Sequence, residues 1–182
     1  MEWLGTLFLY LHISGVIIAF GPSIAFPFIA AHAAKEPMHG NFALRVSEWI
    51  SSKVVEPGAV FVFLMGVGLI ITKGYNPLEQ RWVGLAIILF LITFAYANLV
   101  QGPTVKRMIA LTLQPPPIIP DAPVPGDQPA MAGPGTPAAA GAGPAGPPPE
   151  FIALAAKAER GGKVMVVMLF VILALMVVKP GF

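Results

Sequence analysis

The chain has no cysteine among its 182 residues. That excludes disulfides, thiolate nucleophiles and cysteine-held iron–sulfur clusters together. Charge is scarce as well. Asp, Glu, Lys and Arg make up 11% of the sequence, against about a quarter in an ordinary soluble domain. Neither a phosphate-cradling glycine loop nor an H-E-x-x-H metal signature occurs, so the common soluble-enzyme chemistries have no foothold. The net charge is only +2, and the basic residues flank apolar runs instead of clustering on a soluble face. Nucleic acid is therefore not an expected partner.

What the chain has is apolar length. Hydrophobic residues make up 56% of it, and the mean hydropathy is +0.77. Four runs dominate, at residues 3–34, 54–72, 82–100 and 164–178, with charges only at their edges. A bilayer core about 30 Å thick requires roughly 20 apolar residues per spanning helix. Within lipid the backbone must satisfy its own hydrogen bonds, which helices do. The expected fold class is an all-α membrane protein, a four-transmembrane-helix bundle, and the lipid bilayer is its first partner. No cleavable signal peptide is expected, because Met1-Glu2-Trp3 lacks a positive n-region and the first run is too long.

Charge asymmetry sets the expected orientation. The connections 35–53 and 101–163 carry eight basic residues, Lys35, Arg45, Lys53, Lys106, Arg107, Lys157, Arg160 and Lys163; the other face carries three, Lys73, Arg81 and Lys179. Positive-inside bias puts those two connections in the cytoplasm and both termini outside a bacterial inner (plasma) membrane.

The spans are not equivalent. The first would reach about 48 Å as a straight helix, so it should tilt or kink, and Gly21-Pro22 and Pro27 supply the kink. Residues 42–56 are amphipathic, with Arg45, Glu48, Ser52 and Glu56 on one face and Val46, Trp49, Ile50 and Val54 on another. They read as an interfacial helix bending into the second span at Pro57-Gly58, where Gly66 and Gly68 offer close approach to a neighbour. Lys73-Gly74-Tyr75-Asn76-Pro77 is a turn, and Trp82 opens the third span at the interface. These make a first unit, 1–113. Residues 114–149 form a Pro/Gly-rich linker; the stretch 114–150 holds 13 prolines, 6 glycines and no aromatic residue. Such a composition cannot bury enough apolar surface to order itself, and a disordered spacer is expected. The last unit, 150–182, reads as a short surface helix to Arg160, a break at Gly161-Gly162 and a short span at about 163–179.

Polar residues inside apolar runs are the candidates for chemistry, because burying them in lipid is costly. His12 is the sharpest. It shares a helical face with Gly15 and Ala19 and should point at packed neighbours. A neutral imidazole there would suit haem iron, a copper ion or a proton relay; it would equally suit a hydrogen bond to a neighbouring helix. His32 and Glu36 are four apart and form a weaker metal candidate, with Pro37 following at once and His39 beyond. His12 and His32 lie about 30 Å apart on a straight helix and cannot share one metal. Glu56 should pair with Lys53 or Arg107. Thr93, Asn98 and Gln101 are suited to hydrogen bonds across helices. No catalytic residue is assigned.

Several pieces resemble an uncharacterised family of four-helix bacterial proteins known as predicted integral membrane proteins. They are His12-Ile13, the approach Arg45…Glu56-Pro57-Gly58 with Gly66 and Gly68, Trp82, and the closing Leu175-Met176-Val177-Val178-Lys179-Pro180. The resemblance covers most of 1–113 and 160–180 and leaves out the proline-rich insert. A wider one joins the chain to HemJ-like and CopD-like membrane proteins, since His12, Pro27 and His32 sit similarly to a HemJ-type first helix. That pattern implies an arginine after the proline, where Phe28 stands, and a lysine and a histidine in the third span, where Ala86 and Tyr96 or Asn98 stand. Only His12 carries over, as a candidate ligand for haem b or copper, and the leading expectation is that no cofactor binds.

Three functions follow as expectations. The leading one is a non-enzymatic scaffold or accessory subunit of a membrane assembly, partnered by its own copies or by other membrane subunits. The second is a haem- or copper-binding redox or metal-handling protein built on His12. The third is a small transporter.

Overall fold

The structure, a computed structural model, describes residues 2–113 and 147–180. All its regular elements are helical: α1 (Glu2–Ala33), α2 (Gly40–Ile50), α3 (Glu56–Lys73), α4 (Arg81–Tyr96), α5 (Gly102–Thr112) and α6 (Pro149–Val178). Most of the linker expected at 114–149 lies outside the described residues.

Among the described residues four continuous helices are long and apolar enough to cross a membrane: Glu2–Ala33, Gly40–Lys73, Arg81–Thr112 and Pro149–Val178. Three are longer than the runs that announced them. The second joins α2 to α3 and the third joins α4 to α5, each through one wide turn, Ser51–Val55 and Ala97–Gln101. The cause is the same in both. Pro57 and Pro103 stand two residues beyond those turns and can donate no hydrogen bond one turn back, where their rings would also clash. The chain opens into π-helical turns instead, with Glu56 N–H bonding Ser51 O and Gly102 N–H bonding Ala97 O. The bend expected at Pro57-Gly58 is thus absorbed without ending the helix. Likewise α1 runs unbroken through Pro22 and Pro27.

Gly161-Gly162 does not part a surface helix from the last span, because α6 is one helix of 30 residues. Gly161 is buried instead. A Cβ there would press on the Gln101 amide oxygen and the Tyr96 hydroxyl, so the position is small to admit α4 rather than to break α6.

The tightest packing is between α1 and α3, which run antiparallel. Along α1 the buried positions are Gly5, His12, Gly15 and Ala19. A Cβ on Gly58 would lie 2.6 Å from Ala19 Cβ, one on Gly15 would lie 2.9 Å from Val62, and one on Gly5 would lie 2.9 Å from Lys73 Cε. Small residues on both helices let the backbones approach where lipid offers no hydrophobic drive to association. Helix α4 joins α3 through a stack of Phe63 on Phe90 at 5.5 Å, continued to Phe94 at 6.1 Å, and α6 packs against α4.

At the end holding the N-terminus, α3 stops on Gly74 in the left-handed region (φ 68°). Tyr75 N–H bonds Ile70 O at 3.0 Å and Gly74 N–H bonds Ile71 O at 3.4 Å, a Schellman close. Tyr75 packs edge-on to Trp82, and Lys179 lies 5.8 Å above the same indole. At the opposite, basic end Asn41 donates to Thr112 Oγ1 at 2.5 Å, Lys106 pairs with Glu48 at 3.8 Å, and Arg107 reaches Glu150 at 2.5 Å. These ties join α2 to α5 and α5 to α6.

Gly58→Ala should destabilise the protein by about 1–3 kcal/mol, the usual result of overpacking a close contact. Gly40→Ala, whose Cβ meets nothing within 4 Å, should leave stability unchanged; unfolding of both variants in the same detergent checks the contrast.

Candidate functional site

His12 is 8% exposed and, with Thr104, one of two buried polar residues among those described. Its Nδ1 lies 2.9 Å from Val62 O on α3. A carbonyl only accepts, so Nδ1 carries the proton, and in the neutral ring the lone pair sits on Nε2. The ring lies in a notch over Gly66, where a Cβ would stand 3.1 Å from Cε1 and 3.3 Å from Nδ1. Glycine at 66 is therefore what lets the imidazole reach the backbone carbonyl four residues earlier. With the ring held on one side, Nε2 is the atom that could ligate a haem iron or copper ion. Histidines that bind metals are commonly oriented by such a second hydrogen bond.

Four other polar side chains of the spans are turned back on their own helices. Thr72 donates to Gly68 O at 2.8 Å, Thr93 to Leu89 O at 2.7 Å, Asn98 to Phe94 O at 2.8 Å and Thr104 to Val100 O at 2.6 Å. Of the three α4-side residues expected to bond across helices, Gln101 does so, donating to Ala158 O of α6 at 2.9 Å. Arg107 pairs with Glu150 and not with Glu56; α6 extends back to Pro149 and so carries Glu150 to the rim.

His32 and Glu36 come together at 3.8 Å, and the short 3₁₀ turn Pro37–His39 brings His39 Nδ1 to 3.1 Å from the same carboxylate. Reading Pro37 as a simple break hid this third member. All three are exposed and border a hollow of about 510 Å³ with Phe28 and Phe42. Among the described residues no three His, Asp or Glu side chains converge as a set able to hold a metal ion. A second hollow, about 290 Å³, opens between α4 and α6 beside Tyr96, Lys157 and Arg160. Both hollows lie at the basic end.

These features define a class: an all-α integral membrane protein with four candidate spans, the first tied to the second by a buried histidine. The chain belongs to the family described as predicted integral membrane protein (DUF2269), a family of unknown function whose model matches residues 6–114. The match takes in α1 to α5, while the closing Met-x-x-Lys-Pro of α6 lies beyond it. The comparison with curated proteins finds no match, and neither does the comparison with solved structures.

His12→Ala should cost about 1–2 kcal/mol, the scale of an interhelical hydrogen bond in a membrane. Gly66→Ala should also destabilise, because its methyl meets the imidazole. The two losses should not add: in the His12→Ala background the methyl has room. A double-mutant cycle measured by unfolding in detergent checks the coupling.

Proposed function

We propose that the protein is a non-enzymatic component of a membrane assembly, a scaffold or accessory subunit that associates with its own copies or with other membrane subunits. The observation that carries this reading is where the polar groups of the spans are used. His12 ties α1 to α3, and Thr72, Thr93, Asn98 and Thr104 return to carbonyls of their own helices. One polar group of this set thus joins two helices and the others are satisfied within their own helix, which suits a structural element. The outer faces carry large apolar side chains such as Ile17, Ile18, Leu64, Ile88 and Ile92, open to lipid or to a neighbouring helix. Gentle solubilisation at native abundance, followed by sizing, should give a species larger than one chain; a strictly monomeric protein would overturn the reading.

The same reading takes the membrane as the plasma membrane, with both termini outside and the basic end in the cytoplasm. Its support is the excess of eight basic residues over three, two of the eight, Lys106 and Arg107, being tied to α2 and α6 at the same rim. An alkaline phosphatase fused after Phe182 should be active and a fluorescent protein fused there dark, and the reverse pattern would invert the topology.

A second reading is favoured by the tautomer of His12. With Nδ1–H tied to Val62 O, Nε2 presents a fixed lone pair that suits haem b or copper, the remaining positions being filled by water, a methionine or a second chain. Purified protein would then show a haem Soret band or bound copper that is lost in His12→Ala. Colourless, metal-free protein from cells replete in both would remove this reading.

A further inference from the structure

The cations of the basic end fall into two sets. Lys106 pairs with Glu48, Arg107 with Glu150 and Lys163 with Glu159. Lys157 and Arg160 meet no carboxylate among the described residues, and neither do Lys35, Arg45 and Lys53. What separates Lys157 and Arg160 from the other three is the 290 Å³ hollow between α4 and α6, which they line with Tyr96, Gly161 and Val164. The Tyr96 hydroxyl likewise makes no hydrogen bond among the described residues. A phenol, an ammonium and a guanidinium, all without a protein acceptor, thus border one cavity. Such a donor set fits a tetrahedral oxyanion.

The walls of this cavity are set by protein contacts. Gln101 ties the end of the wide turn after α4 to Ala158 O on α6 at 2.9 Å. Gly161 lets the Tyr96 hydroxyl come to 2.7 Å from where a Cβ would stand. Beyond Arg160 the same face of α6 continues as Val164, Val167 and Val171, exposed by 52%, 57% and 40%. A cationic cradle therefore runs directly into an apolar track at the point where the spanning part of α6 begins. A free phosphate would use only the cradle, whereas a phospholipid would use both.

We propose that the hollow between α4 and α6 seats the phosphate of an anionic phospholipid headgroup against Tyr96, Lys157 and Arg160, with an acyl chain along Val164, Val167 and Val171. Basic pockets between spanning helices at headgroup level are suited to such lipids.

The test uses the full chain in nanodiscs of phosphatidylcholine containing a minority of phosphatidylglycerol, with retained lipids counted by native mass spectrometry. Wild-type protein should retain phosphatidylglycerol in preference to phosphatidylcholine. A basic residue near an anionic headgroup contributes about fivefold, so Lys157→Gln with Arg160→Gln should lower the preference roughly thirtyfold. Tyr96→Phe should lower it in part. Lys35→Gln with Arg45→Gln, which removes the same charge away from the hollow, should leave it unchanged. Three results would overturn the proposal: no preference in the wild type, an equal loss in the Lys35/Arg45 control, which would mean diffuse surface charge, or displacement of the lipid by millimolar inorganic phosphate, which would mean a free-phosphate site.

Discussion

The bundle depends on how near α1 can come to α3. Lipid tails are as apolar as leucine, so burying apolar surface gives these helices little reason to associate in a bilayer. What remains is dispersion at close range and the occasional interhelical hydrogen bond. Both require small residues at the seam. Gly15 faces Val62, Gly58 faces Ala19, and Gly66 faces the His12 ring, so every turn of the pair has a missing or minimal side chain on one partner. The His12 hydrogen bond to Val62 O is a product of that closeness, since an imidazole cannot reach a neighbouring backbone carbonyl across a layer of branched side chains. At the end of the seam the Lys73 side chain covers Gly5, with Cδ, Cε and Nζ all within 3.4 Å of where a Cβ would stand.

The prolines act on this geometry in a second way. Pro57 and Pro103 are each preceded by a π-helical turn at the same offset, and in each case the amphipathic helix at the basic end, α2 or α5, remains continuous with its span. A break would have left several backbone donors and acceptors unpaired near the lipid boundary, where each is costly. The wide turn spreads the loss over one residue and turns the following helix. It also places Gln101 at the last position of its turn, where it meets α6 through Ala158 O. The rim ties Glu48–Lys106 and Arg107–Glu150 then close α2, α5 and α6 on one another. These ion pairs at the rim add little to stability individually; they follow from which helices the packing makes neighbours.

The fold was legible in the sequence because length and hydropathy bear directly on it: four apolar runs become four spanning helices. So were the buried face of α1 and the importance of Gly66, since helical periodicity places His12, Gly15 and Ala19 together. The boundaries were less legible. Apolar length marks where lipid is, not where helix ends, so the amphipathic helix at 42–56 was expected to bend into α3 while α5, which continues α4, went unread. Gly161 was misread for a related reason. Glycine in a sequence signals either a break or a close approach, and only the Tyr96 and Gln101 side chains opposite distinguish the two. The spacing of His39 gave no sign that it joins Glu36; the short 3₁₀ turn Pro37–His39 brings it there. Partner choice among charges was not readable at all. Arg107 finds Glu150, 43 positions away, through a neighbour relation that tertiary packing alone decides.

Helix α6 shows why the two ends of the molecule differ. Lys163 and Lys179 bracket its apolar part, and the helix between them, residues 164–178, rises about 22 Å, several ångströms less than a typical hydrocarbon core. Either both lysines reach outward or the bilayer thins beside α6. At the terminal end the reach is taken up by aromatic surface, with Lys179 lying over Trp82, a pairing stable at the interface. At the basic end Lys163 is held by Glu159, one turn back along the same helix, and no aromatic ring receives it. Beyond Lys163 stand Arg160 and Lys157, the two cations of α6 that have no carboxylate partner among the described residues. The shortness of one span and the position of the cationic hollow are thus two consequences of where charge resumes along α6.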